Sequence, residues 1–435
     1  MHSGNGFTHR SSAHRRSRNE GPDDGLCNDD LSSEGLLSAG PYNAALNTDR
    51  GEVMHPMLKP ALRRAWRGRN TVQFGVTPAH AVTLGPMDIA TGSFLELLDG
   101  TRGLSMLREE ARALDLSDRH VDVLMARLTA AGLLDDPKAG GPEAEALRRR
   151  AQAMDRQRPD AASLSVVHPT PGSGLRRLAA RRATRVQVRG AGRVGASIAA
   201  VLSASGVGLV DVLDGGRAEQ WDIAPGGLPA AAVGERRDTA ARQLVRRSAT
   251  DGAPRASEAA SGGTVGGEPP LSLVVVAPRD GLSVYAPDPD TAAPWIASGT
   301  PHLYAGVIEA TGVVGPLVLP GGTGCAGCLA LHRAERDPQW PRMLTQWRSG
   351  RRTTVPACDL GLATAVAGLA AAHALSFLDG ELPASTGARW EAALPMLDWR
   401  AERLGPHIDC SCGAAGQTEG ELTSAAGAAQ DTMAG

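Results

Sequence analysis

Lysine and aromatic residues are scarce in this 435-residue chain. Lys59 and Lys138 are its only lysines, so arginine supplies nearly all the positive charge and no chemistry beyond residue 138 depends on a lysine. Aromatic residues make up 3% of the chain, which leaves leucine, valine, alanine and isoleucine to form its cores. A hydrophobic content of 42% is ordinary, and this length predicts two or more domains.

The chain also lacks a large net charge and long apolar runs. The 45 basic and 47 acidic residues give a net charge of −2, which does not indicate attraction to nucleic acid or to a membrane surface. By inspection, no apolar run reaches the ~18–20 residues of a membrane-spanning helix, and the N-terminus lacks the apolar core of a secretory signal. We therefore expect a cytoplasmic protein with neither a nucleic-acid partner nor a membrane partner.

Composition separates the N-terminal half into three segments. Residues 1–53 are rich in Ser, Gly, Asn, Asp and Arg without periodicity and are predicted to be a disordered tail, with Met54 or Met57 as an alternative start. Residues 54–136 hold two short alternating patterns and three amphipathic helical patterns, which predict a winged-helix-like domain. Residues 137–183 are predicted to be a linker with one charged helix.

The winged-helix-like domain has two interpretations. A free strand edge in such a domain can accept an extended peptide as an added strand, which predicts peptide recognition. Dimerisation or plain packing is the alternative. DNA reading is not favoured, because the third helical pattern places Arg119 and Arg127 beside Asp118 and Asp122.

Strand and helix patterns alternate over residues 184–412. This order predicts an α/β fold with a doubly wound, Rossmann-like parallel sheet. Within it, the low-complexity stretch 249–270 is predicted to be a disordered insertion, and residues 413–435 a disordered tail.

A glycine-rich turn follows the first strand of this region. Gly190, Gly192 and Gly195 match G-x-G-x-x-G, in which the glycines permit a tight turn, close approach of phosphates and close helix packing. Asp214 ends the next strand, where an acidic side chain binds ribose hydroxyls. The motif suits ATP and NAD alike, so an NAD-dependent oxidoreductase remains an alternative at this point, as does a sheet without a nucleotide.

Four of the six cysteines form two close pairs. Cys325 and Cys328 are separated from Cys410 and Cys412 by about eighty residues, and four thiolates are the usual ligands of a structural zinc ion. Such an ion clamps two segments together and performs no chemistry. Cys358 precedes an Ala/Leu-rich helical pattern; a helix N-terminus lowers a thiol pKa, so a nucleophile is one interpretation and a buried small residue the other.

Three stretches resemble the ThiF/E1-like adenylyltransferases. Residues 190–214, with Gly-Val-Gly before the second strand, and residues 306–321, leading into the first cysteine pair, resemble the family as a whole. Residues 329–341 are similar to the branch associated with azole- and azoline-forming peptide biosynthesis. The resemblance implies ATP- and Mg²⁺-dependent activation of a peptide or small-protein carboxylate, a four-cysteine Zn²⁺ site, leader-peptide capture by the N-terminal domain, a partner modifying enzyme and a homodimer.

The resemblance also assigns roles by position. Asp214 would hold the ATP ribose and Asp280 the Mg²⁺ ion. The family's Asn and Arg finger are missing from residues 219–227, and its Lys is replaced at best by Arg237, whose planar fork differs from a point charge. Because adenylation relies on fixed cations, two hypotheses follow: an active adenylyltransferase, or a degenerate scaffold that presents a precursor peptide to a partner cyclodehydratase. The zinc pairs and the Gly-Val-Val-Gly-Pro stretch argue against the oxidoreductase.

Overall fold

The computed structural model describes residues 54–250, 269–350 and 355–415. The tail predicted at 1–53 lies outside the described residues. So do residues 251–268 of the predicted insertion and residues 416–435 of the predicted C-terminal tail.

A three-stranded sheet and then three helices form most of the N-terminal region, which is one strand more than the two alternating patterns predicted. The strands form an antiparallel sheet in the order β2-β3-β4, and a short β1 pairs with β5 beyond the helices. The sequence did not indicate β2, because all five of its residues are exposed and no apolar alternation marks it. The elements are β1 (Met57–Leu58), β2 (Arg64–Gly68), β3 (Thr71–Phe74), β4 (Val82–Leu84), α1 (Ile89–Glu96), α2 (Leu104–Ala113), α3 (Asp118–Ala130) and β5 (Leu134–Asp135).

Side-chain caps and apolar stripes explain where these helices begin and what they bury. The Asp88 carboxylate accepts a hydrogen bond from the Thr91 amide at 2.7 Å, and the Ser117 hydroxyl accepts one from the His120 amide at 3.2 Å. Helix α3 buries Val121, Leu124, Met125 and Leu128 on one face.

The segment predicted as a linker is helical over most of its length. A small core of Leu147, Leu164 and Leu178 joins its three helices. The sequence indicated only one charged helix, since Pro159 and Pro169 suggest a connector; Pro159 instead lies inside a helix. The helices are α4 (Gly141–Arg148), α5 (Ala151–Val167) and α6 (Ser173–Ala180).

A seven-stranded sheet forms the main domain, with the order β12-β11-β10-β9-β8-β6-β7. The predicted doubly wound sheet is confirmed in its first half, where β7, β6, β8 and β9 are parallel. The second half is antiparallel and begins at a two-residue hairpin, Glu309-Ala310, with φ of 48° and 60°. Its strands are β6 (Arg185–Arg189), β7 (Leu209–Leu213), β8 (Leu271–Val276), β9 (His302–Ile308), β10 (Thr311–Val318), β11 (Ala388–Ala393) and β12 (Arg400–Arg403).

Helices cover both faces of this sheet. One face carries the larger apolar core, to which α7 and α13 contribute, and the other packs against α10 and the start of α11. The helices are α7 (Arg193–Ala204), α8 (Arg237–Ser248), α9 (Leu282–Tyr285), α10 (Pro289–Ala297), α11 (Ala326–Arg336), α12 (Trp340–Ser349) and α13 (Leu360–Leu378).

Helix α13 corrects the expectation that no segment is long and apolar enough to cross a membrane. It has 19 residues with a mean hydropathy of 1.6, and it alone passes that test in the described parts of the chain. Inspection missed it because Gly, Thr and His interrupt the apolar residues. Leu362, Val366, Ala370 and Phe377 are at most 1% exposed in the core on the sheet, which accounts for the apolar composition.

Candidate nucleotide and zinc sites

The glycine turn joins β6 to the N-terminus of α7. Gly190 has φ of +118°, and a Cβ there would lie 1.9 Å from the Ala277 carbonyl oxygen. A Cβ on Gly195 would lie 2.1 Å from the Gly190 oxygen, so the helix packs directly on the turn. Gly192 caps α7, and a Cβ there would be in ordinary van der Waals contact with Arg279, whose Cγ is the nearest atom at 3.5 Å. Two glycines are therefore required by the backbone, whereas Gly192 faces the space in front of the turn.

Asp214 lies directly after β7, next to this turn. Its carboxylate accepts a hydrogen bond from the Ala191 amide at 2.6 Å and another from Arg237 Nε at 3.0 Å. The side chains of Asp214 and Arg237 are 8% and 12% exposed. The structure thus brings together the predicted ribose ligand and the predicted lysine substitute, and it places them in contact with each other.

Asp222 forms a second carboxylate–arginine cluster, which sequence reasoning missed. The carboxylate is 2% exposed, lies 2.9 Å from Arg279 Nε and 3.8 Å from Arg237 Nη1. Burial raises the pKa of Asp222 to about 6, and the charge of Asp214 adds to that rise, although the guanidiniums of Arg237 and Arg193 oppose it. Arg279 also pairs with Glu219 and lies 5.4 Å from the centre of the Trp221 ring.

These side chains nearly fill the space in front of the turn. The remaining cavity measures about 20 Å³, which is room for roughly one water molecule. A nucleotide therefore does not fit inside this cavity in the arrangement that the structure shows. The cavity is lined mainly by Gly192, Arg193, Trp221, Asp222, Arg279 and Cys358.

Asp280, the predicted Mg²⁺ ligand, is exposed at the edge of this region. Its carboxylate accepts a hydrogen bond from the Leu282 amide at 3.0 Å, and it is not among the residues that line the cavity. A carboxylate oxygen is the kind of ligand that Mg²⁺ prefers.

Cys358 lies against the cavity, and its surroundings do not activate the thiol. Burial raises its pKa, which outweighs the opposing effect of Arg193. Asp359 caps α13 by accepting from the Leu362 amide at 3.0 Å, and its charge raises the Cys358 pKa further, against the lowering expected at a helix N-terminus. The Cys358 carbonyl oxygen accepts from Arg193 at 2.7 Å, so the residue fixes an arginine beside the turn.

The four predicted zinc ligands meet at one point. Cys325 Sγ lies 3.9 Å from Cys328 Sγ and 3.6 Å from Cys410 Sγ, and Cys328 Sγ lies 3.6 Å from Cys412 Sγ. All four sulfur atoms are within 4.8 Å of one another. With Zn–S bonds of about 2.3 Å, sulfur atoms in a tetrahedral site are about 3.8 Å apart, so the donor set fits zinc.

The electrostatics of the four thiols also favour a cation. Burial raises the pKa of Cys412 to about 11, whereas a hydrogen bond from the Cys325 thiol lowers the pKa of Cys328 to about 4. Without a cation, the negative charge on one sulfur therefore makes it harder for a neighbouring thiol to lose its proton. A divalent ion removes that conflict, because it stabilises all four thiolates together.

Two histidines lie beside the four-cysteine cluster and connect the segments that carry it. The amide of His407 donates to Cys328 Sγ, and its ring Nδ1 accepts from the Asp409 amide at 3.1 Å. Nε2 therefore carries the proton and donates to Glu335, 2.9 Å away. The His332 ring lies 3.2 Å from the Gly405 oxygen, so both histidines join α11 to the C-terminal segment.

Comparisons with known proteins agree with this fold. The model of the ThiF family matches residues 170–414, more than half of the chain. A comparison with curated protein sequences finds no match.

Solved structures with a similar fold include two of MccB and one of TruD. E. coli MccB with ATP has a TM-score of 0.57 and 14% identity, covering 82% of this chain and 99% of MccB. The Microcin C7 biosynthetic enzyme MccB in complex with N-formylated MccA gives 0.58 and 14%, with 82% and 99% covered. The heterocyclase TruD gives 0.52 and 16%, covering 83% of this chain and 43% of TruD. At these identities the likeness shows a shared fold.

Proposed function

This chain belongs to the ThiF family, and we propose that it is an ATP-dependent adenylyltransferase that activates a peptide or small-protein carboxylate in ribosomal peptide modification. The observation that carries the proposal is the strand–turn–helix at Gly190–Gly195 with Asp214 beside it, in a fold shared with a protein solved with ATP. We expect a cytoplasmic homodimer that uses Mg²⁺, contains Zn²⁺ and cooperates with a partner modifying enzyme.

The proposed reaction transfers an adenylyl group. A carboxylate oxygen of the substrate attacks the α-phosphorus of ATP, the bond to pyrophosphate breaks, and an acyl-adenylate forms. The free amides at the N-terminus of α7 would bind phosphate oxygens, as helix N-termini do. Mg²⁺, when bound, neutralises charge on the leaving pyrophosphate, and Asp280 would hold it.

Arginines would replace the missing family cations. Arg193, Arg237 and Arg279 all lie beside the turn, and each is engaged by protein acceptors. Nucleotide binding would exchange the contacts of Arg279 with Asp222 and Glu219 for contacts with phosphate. Protonation of Asp222, whose pKa is already raised to about 6, would ease that exchange because a neutral carboxyl holds a guanidinium less strongly.

A second candidate is favoured by the small cavity. A turn whose arginines are already paired, with room for about one water, is also what a scaffold without catalysis would contain. In that case the N-terminal region would present a precursor peptide to a partner cyclodehydratase, and the nucleotide fold would serve only as a support.

Calorimetric titration of the zinc-containing protein with Mg·ATP, with NAD as control, tests the proposal. Gly192→Asp would place a negative charge in front of the turn, while Gly192→Ala is the matched control because its Cβ would come no closer than 3.5 Å to Arg279. We expect ATP binding that Gly192→Ala retains and Gly192→Asp loses, together with peptide-dependent pyrophosphate exchange. ATP binding without exchange, or no binding at all, would favour the scaffold; binding of NAD instead would contradict both.

A further inference from the structure

Three side chains beside the four-cysteine cluster form a second group of metal-ligating type. His332 and Glu335 lie one turn apart on α11, and His407 lies in the C-terminal segment that carries the second cysteine pair. One ligand atom from each of the three residues lies within 4.8 Å of the other two. Two imidazoles and a carboxylate suit transition-metal ions such as Zn²⁺, Co²⁺ and Ni²⁺ better than they suit Mg²⁺ or Ca²⁺.

The spacing of these ligand atoms is close to that around a coordinated ion. Glu335 Oε1 lies 2.9 Å from His407 Nε2, and Glu335 Oε2 lies 3.8 Å from His332 Nδ1. With metal–ligand bonds of about 2.1 Å, the ligand atoms of a tetrahedral site are about 3.4 Å apart. The two measured distances lie on either side of that value, so small side-chain rotations close the group around an ion.

The backbone sets the tautomer of His332 that coordination requires. Its Nε2 lies 3.2 Å from the Gly405 carbonyl oxygen, which can only accept, so Nε2 carries the proton of the neutral ring. The lone pair is then on Nδ1, the nitrogen that faces Glu335. A ring N–H that donates to a carbonyl oxygen is a common support of a metal-binding imidazole.

His407 has the opposite arrangement, which predicts a weak site. Its Nδ1 accepts from the Asp409 amide, so the ring proton is on Nε2 and is donated to Glu335. An ion at Nε2 requires that proton to move to Nδ1, and the hydrogen bond from Asp409 is then lost. We therefore expect an ion that is held less tightly than one held by four thiolates and that dialysis removes.

Glu335 is available to a cation because no guanidinium neutralises it. The neighbouring arginines of α11 are engaged elsewhere: Arg333 donates to the Tyr285 carbonyl oxygen at 2.7 Å, and Arg336 pairs with Glu402 at 2.7 Å. Within the described parts of the chain, the ion-pair partners of Glu335 are the two histidines alone. The Glu335 side chain is 63% exposed, so an ion can reach the group from solvent.

We propose that His332, Glu335 and His407 form a second divalent-metal site, separate from the four cysteines. The ion would bind His332 Nδ1, a Glu335 oxygen and His407 Nε2, and water would complete its coordination on the exposed side. Because two ligands lie on α11 and the third on the C-terminal segment, the ion joins the same two segments that the cysteine cluster joins. The site does not depend on adenylyl transfer, so its test leaves the proposed function unaffected.

Calorimetric titration with Ni²⁺ tests the proposal on the full chain with zinc already bound to the cysteines. We expect one additional ion per chain, with the zinc content unchanged by elemental analysis. His332→Ala and Glu335→Gln should each weaken Ni²⁺ binding at least about tenfold, since even residues that only support a metal ligand contribute that much. Both side chains are partly exposed, so neither substitution opens a cavity in the core.

Glu381→Gln is the matched control for the loss of a glutamate beside a histidine. Glu381 lies 3.5 Å from His168 Nδ1, but this pair belongs to no three-residue ligand group in the described chain. Glu381→Gln should therefore leave Ni²⁺ binding unchanged.

Co²⁺ spectra identify the ligands of the additional ion. Co²⁺ added to the zinc-containing protein should give the visible bands of nitrogen and oxygen ligation without the intense charge-transfer bands of thiolate ligation. Those bands should disappear in His332→Ala.

Four results would overturn the second metal site. The first two are failure of the zinc-containing protein to bind Ni²⁺, and thiolate bands or released zinc, which would place the added ion at the cysteines. The third is unchanged affinity in His332→Ala, which would assign the ion to other histidines, such as those at positions 2, 9 and 14. The fourth is an equal loss of affinity in Glu381→Gln, which would show that binding does not depend on this group.

Discussion

The four-cysteine cluster and the nucleotide turn were both expected from short motifs, but the two sites differ in the charges that their side chains carry. At the cluster, four buried or half-buried thiols lie with sulfur atoms 3.6–3.9 Å apart along the contacts described above. At the turn, Arg237 and Arg279 already pair with Asp214 and Asp222. Four thiolates repel one another and need a bound cation, whereas carboxylates and guanidiniums at one site can neutralise each other.

Loss of a zinc ligand should therefore have the largest effect. Cys328→Ser removes a thiolate that is 1% exposed, and structural zinc sites contribute apparent binding free energies of about 10–16 kcal/mol. We expect the bound zinc, one per chain, to fall sharply and the thermal midpoint to drop by many degrees. Elemental analysis and thermal unfolding measure both. Cys358→Ser is the control, since that thiol is not in the cluster; equal zinc in the two variants would rule out the assigned ligands.

The residues of the nucleotide turn could be predicted because they belong to one local motif. Gly190, Gly195 and Asp214 lie within one strand–helix–strand unit, so spacing alone places them together. Asp222 and Arg279 could not be found this way, because 57 residues separate them and their contact depends on how β8 ends beside the turn. Charge pairing across such distances follows from the sheet order, which local patterns do not fix.

The antiparallel half of the sheet and the edge strand were missed for other reasons. The hairpin at Glu309-Ala310 places two non-glycine residues at positive φ, so the usual Asn-Gly signal is absent. Strand β2 is exposed along its whole length and has no buried residue to reveal its period. Both are cases in which tertiary pairing overrides weak local preference.

The second prediction contrasts two glycines of the turn. Gly190→Ala forces a Cβ to 1.9 Å from a backbone oxygen at φ +118°, and we expect a cost above about 3 kcal/mol. Gly192→Ala meets only Arg279 and should cost under about 1 kcal/mol. Urea unfolding of the two variants compares them directly. Similar losses of unfolding free energy in the two variants would show that a side chain is tolerated no better at Gly192 than at Gly190.

The third prediction concerns the pH dependence that Asp222 gives to stability. Its folded pKa, about 6, lies above the unfolded value near 3.8, so its stabilising contribution is complete below pH 4 and is lost as pH rises through 6. Such a shift corresponds to about 3 kcal/mol, and Asp222→Asn should remove that dependence between pH 4 and 7. Chemical denaturation across this range measures it, with Asp280→Asn as an exposed control. An unchanged slope in Asp222→Asn would mean that its arginines hold the carboxylate ionised.

The smallest expected effect lies around the zinc cluster, at Glu335. Its carboxylate accepts from His407, but the Glu335 side chain is 63% exposed, so solvent screens the contact and we expect Glu335→Gln to cost under about 1 kcal/mol. Zinc should nevertheless leave faster in a chelator, because His407 aligns the segment whose amide donates to Cys328. Gln keeps the shape and an acceptor oxygen, so His407→Ala, which removes the whole link, should accelerate zinc loss more. If both variants released zinc at the same rate as the parent protein, the four thiolates would hold their positions without the His407–Glu335 contact. The cluster would then differ still more from the nucleotide turn, where Arg237 and Arg279 are held by carboxylates.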